Sequence, residues 1–176
     1  MGTKWMIAGL LAFSALHGGM LTFESGVIKG HTEVFGDSTI DPMFKKAKSH
    51  LSMEDSPLSL HGSIEVALAD FASDNKKRDE HMHETMESSK FPKALFEVKE
   101  VVSKGGDKYL LNGTLNLHGV SKPVAFEGNI AAQGESVRIK ADSMIKMSDF
   151  GITPPKMMFL TVRDQVDLSV DVVLKR

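Results

Sequence analysis

The sequence predicts an all-β protein: an antiparallel meander closed into a barrel of about eight strands, with one short surface helix. Three observations carry this. At least six segments alternate apolar and polar residues with a period of two, giving each one apolar face. Sequence neighbours are joined mostly by tight turns rich in Gly, Asp and Pro. No strand–helix–strand spacing occurs, so a parallel sheet is not expected. Closure removes exposed sheet edges, and about eight strands enclose a lumen wide enough for side chains or one ligand.

The chain begins with a different pattern. Lys4 precedes the apolar run Trp5 to Leu16, a basic region and core of secretory-signal length. The run is shorter than the ~20 residues that span a membrane. Residues 1–19 are therefore expected to be a signal peptide and 20–176 the barrel domain, periplasmic or secreted. The 176 residues suffice for one domain with a sizeable core. A net charge of −2 and pI near 6.4 leave no nucleic-acid footprint. There is no cysteine, hence no disulfide or thiol chemistry. The eleven methionines suit either an adaptable apolar surface or a plain core.

In chain order, Leu21 to Phe35 reads as extended, with Ile28, Gly30, Thr32 and Val34 alternating. A helical turn fits Met43 to Ala47, and Ala47 to Met53 alternates weakly. Leu58 to Leu68 is a strand, with Leu58, Leu60, Gly62, Ile64, Val66 and Leu68 on one face. Ser73 to Ser89 breaks the period of two: Asp74 or Asn75 can cap a helix whose Arg78, Met82 and Met86 form one stripe. This helix is expected on the barrel mouth, stopped by Pro92. Ala94, Phe96 and Val98 then alternate up to a Gly105-Gly106-Asp107 turn. Leu111, Gly113, Leu115 and Leu117 form the inward face of one shank of a hairpin. Val124, Phe126, Gly128 and Ile130 form that of the other, with Gly119 to Pro123 as the turn. After Gln133-Gly134-Glu135, Val137, Ile139, Ala141, Ser143 and Ile145 face inward. A loop runs from Asp149 through Phe159. The final strand sets Val166, Leu168, Val170, Val172 and Leu174 inward.

Several inward residues near mid-strand are small: Gly62, Gly113, Gly128, Ala141 and Ser143. Such residues can leave the barrel axis unfilled. Strands of about ten residues at ~3.3 Å rise, tilted ~40°, make a barrel on the order of 25 Å tall, long enough for an extended lipid chain. The same glycines can instead mark bulges or sharp coiling, or be covered by bulky neighbours. Periodicity alone leaves both readings open.

Catalytic and metal chemistry find no matching motif. His81 and His83 are two apart and do not share a helical face. His61 and His118 fall on outward faces of separate strands, and no spacing matches a zinc site. No G-x-S-x-G nucleophile motif occurs. The Asp79-Glu80 pair sits in a charged helix, where a solvated face is the default. No catalytic residue, metal ligand or cofactor is assigned.

Four segments carry a family resemblance. Leu115-Asn116-Leu117-His118-Gly119-Val120-Ser121-Lys122-Pro123-Val124 resembles the L-x-[LIV]-[HN]-G-V-[ST]-[KR]-P-V motif of the YceI-like family. Arg78 to Met82 resembles its R-D-x-H-L segment, Phe91 to Phe96 its [YF]-P-x-[AI]-x-F segment, and Ser148 to Ile152 its x-D-F-G-I segment. The hairpin motif is the specific one, and the match covers about Leu58 to the C-terminus. The family's usual opening pattern is not evident near Thr22 to Phe35, and the segment between His81 and Phe91 is compact, as in a shorter-chain branch.

The resemblance implies a lipocalin-like, eight-stranded antiparallel barrel that is exported and binds a long apolar chain: an isoprenoid, an isoprenoid quinone or a fatty-acid-like amphiphile. It favours the reading of the small residues as a tunnel wall. The expected lumen residues are Leu60, Gly62, Ile64, Phe96, Gly113, Leu115, Phe126, Gly128, Ala141, Ser143, Ile145, Leu168 and Val170. Met82, Met86, Phe150, Met157 and Phe159 are expected at the mouth. The expected partner is an amphiphilic lipid stored or transported by a monomer or homodimer, with transient membrane contact. The alternatives are a periplasmic enzyme on a lipid-like substrate, using His81 or His118, and a ligand-free structural barrel. The hairpin tip is read as setting register, separate from the binding wall.

Overall fold

The computed structural model describes residues 19–34, 38–157 and 160–176. The expected signal segment, Trp5 to Leu16, lies outside the described residues. The strands in chain order are β1 (Gly19–Val34), β2 (Ser38–Ile40), β3 (Met43–Phe44), β4 (Lys48–Met53) and β5 (His61–Ala67). Helix α1 (Lys76–Thr85) follows, then β6 (Lys93–Gly105), β7 (Lys108–Leu117), β8 (Val120–Gln133) and β9 (Ser136–Lys146). A small hairpin, β10 (Lys156–Met157) and β11 (Leu160–Thr161), precedes β12 (Gln165–Lys175). Of the described strands, eight run in the order β12-β9-β8-β7-β6-β5-β4-β1, all antiparallel, and β12 pairs back onto β1 to close the barrel.

Local chemistry sets the turns. The β7–β8 connection is only His118-Gly119, with φ +53° and +75°, the left-handed pair that a two-residue hairpin requires. The turn is shorter than the sequence suggests: Val120 to Pro123 already belong to β8, with Thr114 opposite Pro123. Proline is tolerated there because the β8–β9 ladder ends at Glu127–Asp142, so the other side of β8 at Pro123 needs no backbone donor. Helix α1 is capped as expected, the Asn75 side chain accepting from the Arg78 amide at 3.1 Å.

Three local expectations change. Met43-Phe44 is a short strand on β1, not a helical turn. Only His61–Ala67 of the Leu58–Leu68 segment is strand; Pro57–Ser59 and Leu68–Asp70 are single 3-10 turns, and Leu58 is exposed. The 150s loop contains a 3-10 turn, Met147–Phe150, and the β10–β11 hairpin.

The interior has two parts. At the end carrying the β6–β7 and β8–β9 hairpin tips, Leu21, Met53, Val137 and Leu174 are fully buried against Ile130, Val101 and Leu111. The opposite end is rimmed by α1, the 38–44 segment, and Ile152, Pro155, Lys156 and Val162, and there the barrel is hollow.

Candidate ligand cavity

The hollow is about 730 Å³, within the range of small-molecule sites. Its wall follows the inward face of each strand for part of its length. On β12, Val166, Leu168, Val170 and Val172 line it, whereas Leu174 belongs to the packed end. On β9, Ile145, Ala141 and Ile139 line it and Val137 does not. The cavity is therefore closed at the packed end, and its charged lining lies at the other, which is the mouth. The lined stretch of β12 spans six residue steps, roughly 15 Å along the axis at the usual rise and tilt.

The structure brings together most of the expected lumen residues. Leu60, Ile64, Phe96, Leu115 and Phe126 line the cavity, as do Ala141, Ile145, Leu168 and Val170. At the mouth, Met82 and Met86 lean in from α1. Met157 lies in β10, but its side chain and all of Phe159 fall outside the described residues.

The glycines need correction. A Cβ on Gly128 would sit 1.9 Å from the Lys140 carbonyl oxygen and 2.5 Å from the Ala141 Cα. One on Gly62 (φ +101°) would sit 2.1 Å from the His50 carbonyl oxygen. These positions are glycine because neighbouring strands close on them, not because space lies in front. At Gly113 the space is taken by the Phe96 ring, 2.4 Å from where a Cβ would stand. That ring packs edge-on against Phe126, with centroids 4.9 Å apart. None of the three glycines lines the cavity.

Ser143 also leaves the lumen. Beyond Asp142 the β8–β9 ladder is unmade, and the Ser143 hydroxyl donates across the seam to the Ala125 carbonyl at 2.7 Å. Ser143 faces a groove on the outer side, together with Val124 and Met144. Phe150 is 1% exposed and packs in the core rather than at the mouth.

Sequence reasoning missed β1 as a wall. Ile28, Gly30, Thr32 and Val34 line the cavity, and their alternation was the available signal. Thr32 is a buried polar residue in that wall, its hydroxyl placed against the Arg163 and Gln165 carbonyls at 3.0 and 2.9 Å. The polar residues of the 78–86 helix and the 150–160 loop, expected at the mouth as headgroup candidates, are there, and Lys77 adds to them. Lys77, Arg78, His81 and Glu84 border the cavity, facing Lys156 of the β10 strand.

Polar ties hold the cover in place. Asp41, after β2, meets Lys29 at 2.9 Å and His31 at 2.7 Å on β1. The Lys29 ammonium, with smaller help from His31 and Thr39, holds the Asp41 carboxyl down at about 2 against the opposing effect of burial. Ser73 donates to Asp79 from both its amide and its hydroxyl, and His83 Nε2 lies 2.7 Å from the Phe71 carbonyl. Asp164 accepts from the Ser148 hydroxyl and amide, which hold its carboxyl below the usual range.

His118, expected on an outward face in a solvated or hydrogen-bonded role, is hydrogen-bonded and largely buried. Its side chain is 12% exposed, and its ring nitrogens face the Glu87 carboxylate at 2.8 Å and the Phe150 carbonyl at 3.1 Å. The Phe91 ring lies 4.3 Å from it. His118 stands outside the cavity wall. A Cβ on Gly119 would strike Phe91 at 2.7 Å. Three motif segments distant in sequence thus meet at one ring.

Comparison with known proteins agrees with this geometry. The profile of the YceI-like domain matches residues 21–174. The chain belongs to the YceI-like family. A UPF0312 protein of Yersinia pestis (strain Pestoides F) is 37% identical over 89 residues, 46% of each chain. The match thus spans about half the length of such curated YceI-like relatives. Among solved structures, Burkholderia cenocepacia BcnA superposes with a TM-score of 0.75 at 19% identity, covering 85% of this chain and 95% of that one. A polyisoprenoid binding domain from Saccharophagus degradans gives 0.68 at 12% identity, with 89% and 97% covered. At these identities the likeness establishes the fold. The match through 21–174 brings in β1, where the family's opening motif is not evident, so the YceI-like architecture includes the wall that the motifs do not reach.

Proposed function

We propose that this protein is an exported carrier or store for an amphiphilic lipid, holding one long apolar chain in its lumen. The chain is an isoprenoid, an isoprenoid quinone or a fatty-acid-like tail, and the protein works in the periplasm or outside the cell. The observation that carries this reading is the blind 730 Å³ cavity, lined by aliphatic and aromatic side chains and open where the polar groups are. Each buried methylene of a ligand contributes ~0.8 kcal/mol, so a plain apolar wall suffices for useful affinity. The polyisoprenoid-binding description of a fold neighbour supports the same class. No described helix is long and apolar enough to cross a membrane. A barrel filled by its own side chains would lack this hollow. On the enzyme alternative, His118 is held by Glu87 and Phe150 away from the wall, which leaves His81 at the mouth.

The test is a substitution that fills the hollow without disturbing the packed end. Val170 lines the cavity opposite Ala141 on β9, where there is room for a larger side chain. Val170→Phe should fold with unchanged circular dichroism and lose about tenfold or more in lipid affinity. Native mass spectrometry of protein purified from its own source should show co-purifying lipid in the wild type and little in the variant. Equal lipid loading in the two would sink the lumen as the binding site.

A further inference from the structure

We propose that the cavity selects an anionic amphiphile, with Lys77, Arg78 and Lys156 holding a carboxylate or phosphate headgroup at the mouth. This rests on the reading of the lumen as a lipid site and adds the chemistry of the headgroup.

Every charged side chain lining the cavity is at its open end, on α1 or on β10. Four groups there are already engaged. Asn75 caps the helix, the Thr85 hydroxyl donates to the His81 carbonyl at 2.8 Å, and Glu84 faces His81 at 3.5 Å. Lys77 and Lys156 make no ion pair or side-chain hydrogen bond among the described residues. Among the described residues Arg78 makes one side-chain bond, from Nη1 to the Thr39 carbonyl at 3.3 Å, which engages one of its five guanidinium donors.

The rim carries three cations and one carboxylate, Glu84, in a chain whose formal net charge is −2. Lys77 and Arg78 also occupy the first turn of α1, where the helix dipole disfavours positive charge. An oxyanion entering with its tail down the lumen meets this excess of positive charge, and its acceptors match donor-only side chains. A neutral alcohol or carbonyl headgroup would take one donor and leave the charge in place. The low polarity of the wall below keeps the headgroup at the rim.

The experiment uses the delipidated full chain and three ligands of one tail length: hexadecanoate, monohexadecyl phosphate and hexadecanol, compared by isothermal titration calorimetry. At least one anion should bind about tenfold or more tighter than the alcohol, and whichever anion gains more identifies the headgroup as carboxylate or phosphate. The preference should shrink from ~0.05 M to ~0.5 M salt as screening shortens. K77Q/R78Q/K156Q should lose the preference and keep its hexadecanol affinity. Hexadecanol binding as tightly as both anions to the wild type would overturn the proposal without touching the lumen reading. So would an anion preference that survives the triple substitution. Failure of all three ligands to bind would instead remove the lumen reading and this inference with it.

Discussion

At the closed end of the barrel, Leu21, Met53, Val137 and Leu174 have no exposed surface. At the open end the corresponding inward residues, Ile64, Val166, Leu168 and Val170, remain only partly buried. The same strands supply both sets. Hydrophobic packing fills the first end, whereas at the second the cover packs on its own Phe44, Leu68, Phe150 and Ile152 and adds polar ties: Asp41 to Lys29 and His31, Asp164 to Ser148, and Glu87 and Phe150 to His118. A binding barrel has to leave part of its core unmade. Part of the stability forgone there is restored by packing and polar contacts in the cover, outside the lumen.

Truncation along one strand separates the two regimes most strongly. Leu174→Ala at the packed end should cost about 3 kcal/mol, since it opens a cavity in a filled core. Leu168→Ala, six residues up the same strand, enlarges a space that already exists and should cost about 1 kcal/mol in delipidated protein. Urea unfolding of the two variants gives the comparison directly. Equal losses would mean that the open end is packed as tightly as the closed one.

This division explains what could be read from the sequence. Alternation placed Leu60, Ile64, Leu115, Ile145 and Val170 on the inner wall because a strand's period fixes which face a residue takes. It could not tell whether the missing side chain at Gly113 or Gly128 faced empty space or a neighbour. That depends on strand coiling and register: the Phe96 ring fills one position, and the β9 backbone closes on the other. Nor could it give the height at which packing stops, which on β12 falls between Val172, which lines the cavity, and Leu174, which does not. The stripe of Arg78, Met82 and Met86 was legible because a helix repeats every 3.6 residues, and all three border the cavity; Lys77, one residue off that stripe, was not.

Removing a tie tests the open end next. His118→Ala deletes both ring contacts and the packing on Phe91, and should cost about 2 kcal/mol. The loss should be local. Amide hydrogen exchange should quicken around Glu87 to Phe91 and Met147 to Ile152 while β9 and β12 below Val172 stay protected. Uniform acceleration through both ends would show that the ring serves the whole fold and not the cover alone.

The smallest expected effect carries a pH dependence that a packed core lacks. Asp41 is partly solvated, so its tie to Lys29 and His31 is discounted for screening to about 1 kcal/mol or less. Its folded pKa of about 2 lies below the ordinary 3.8, so the folded state binds the proton more weakly than the unfolded chain. That contribution is fully present above about pH 4 and is lost as pH falls through 2. Asp41→Asn should therefore be less stable than wild type in urea at pH 7, and the gap should close as pH falls toward 2. The Leu174→Ala penalty involves no titrating group and should stay the same at both pH values. An Asp41→Asn deficit that persists unchanged at pH 2 would show that shape, and not charge, fastens the 38–44 segment to β1.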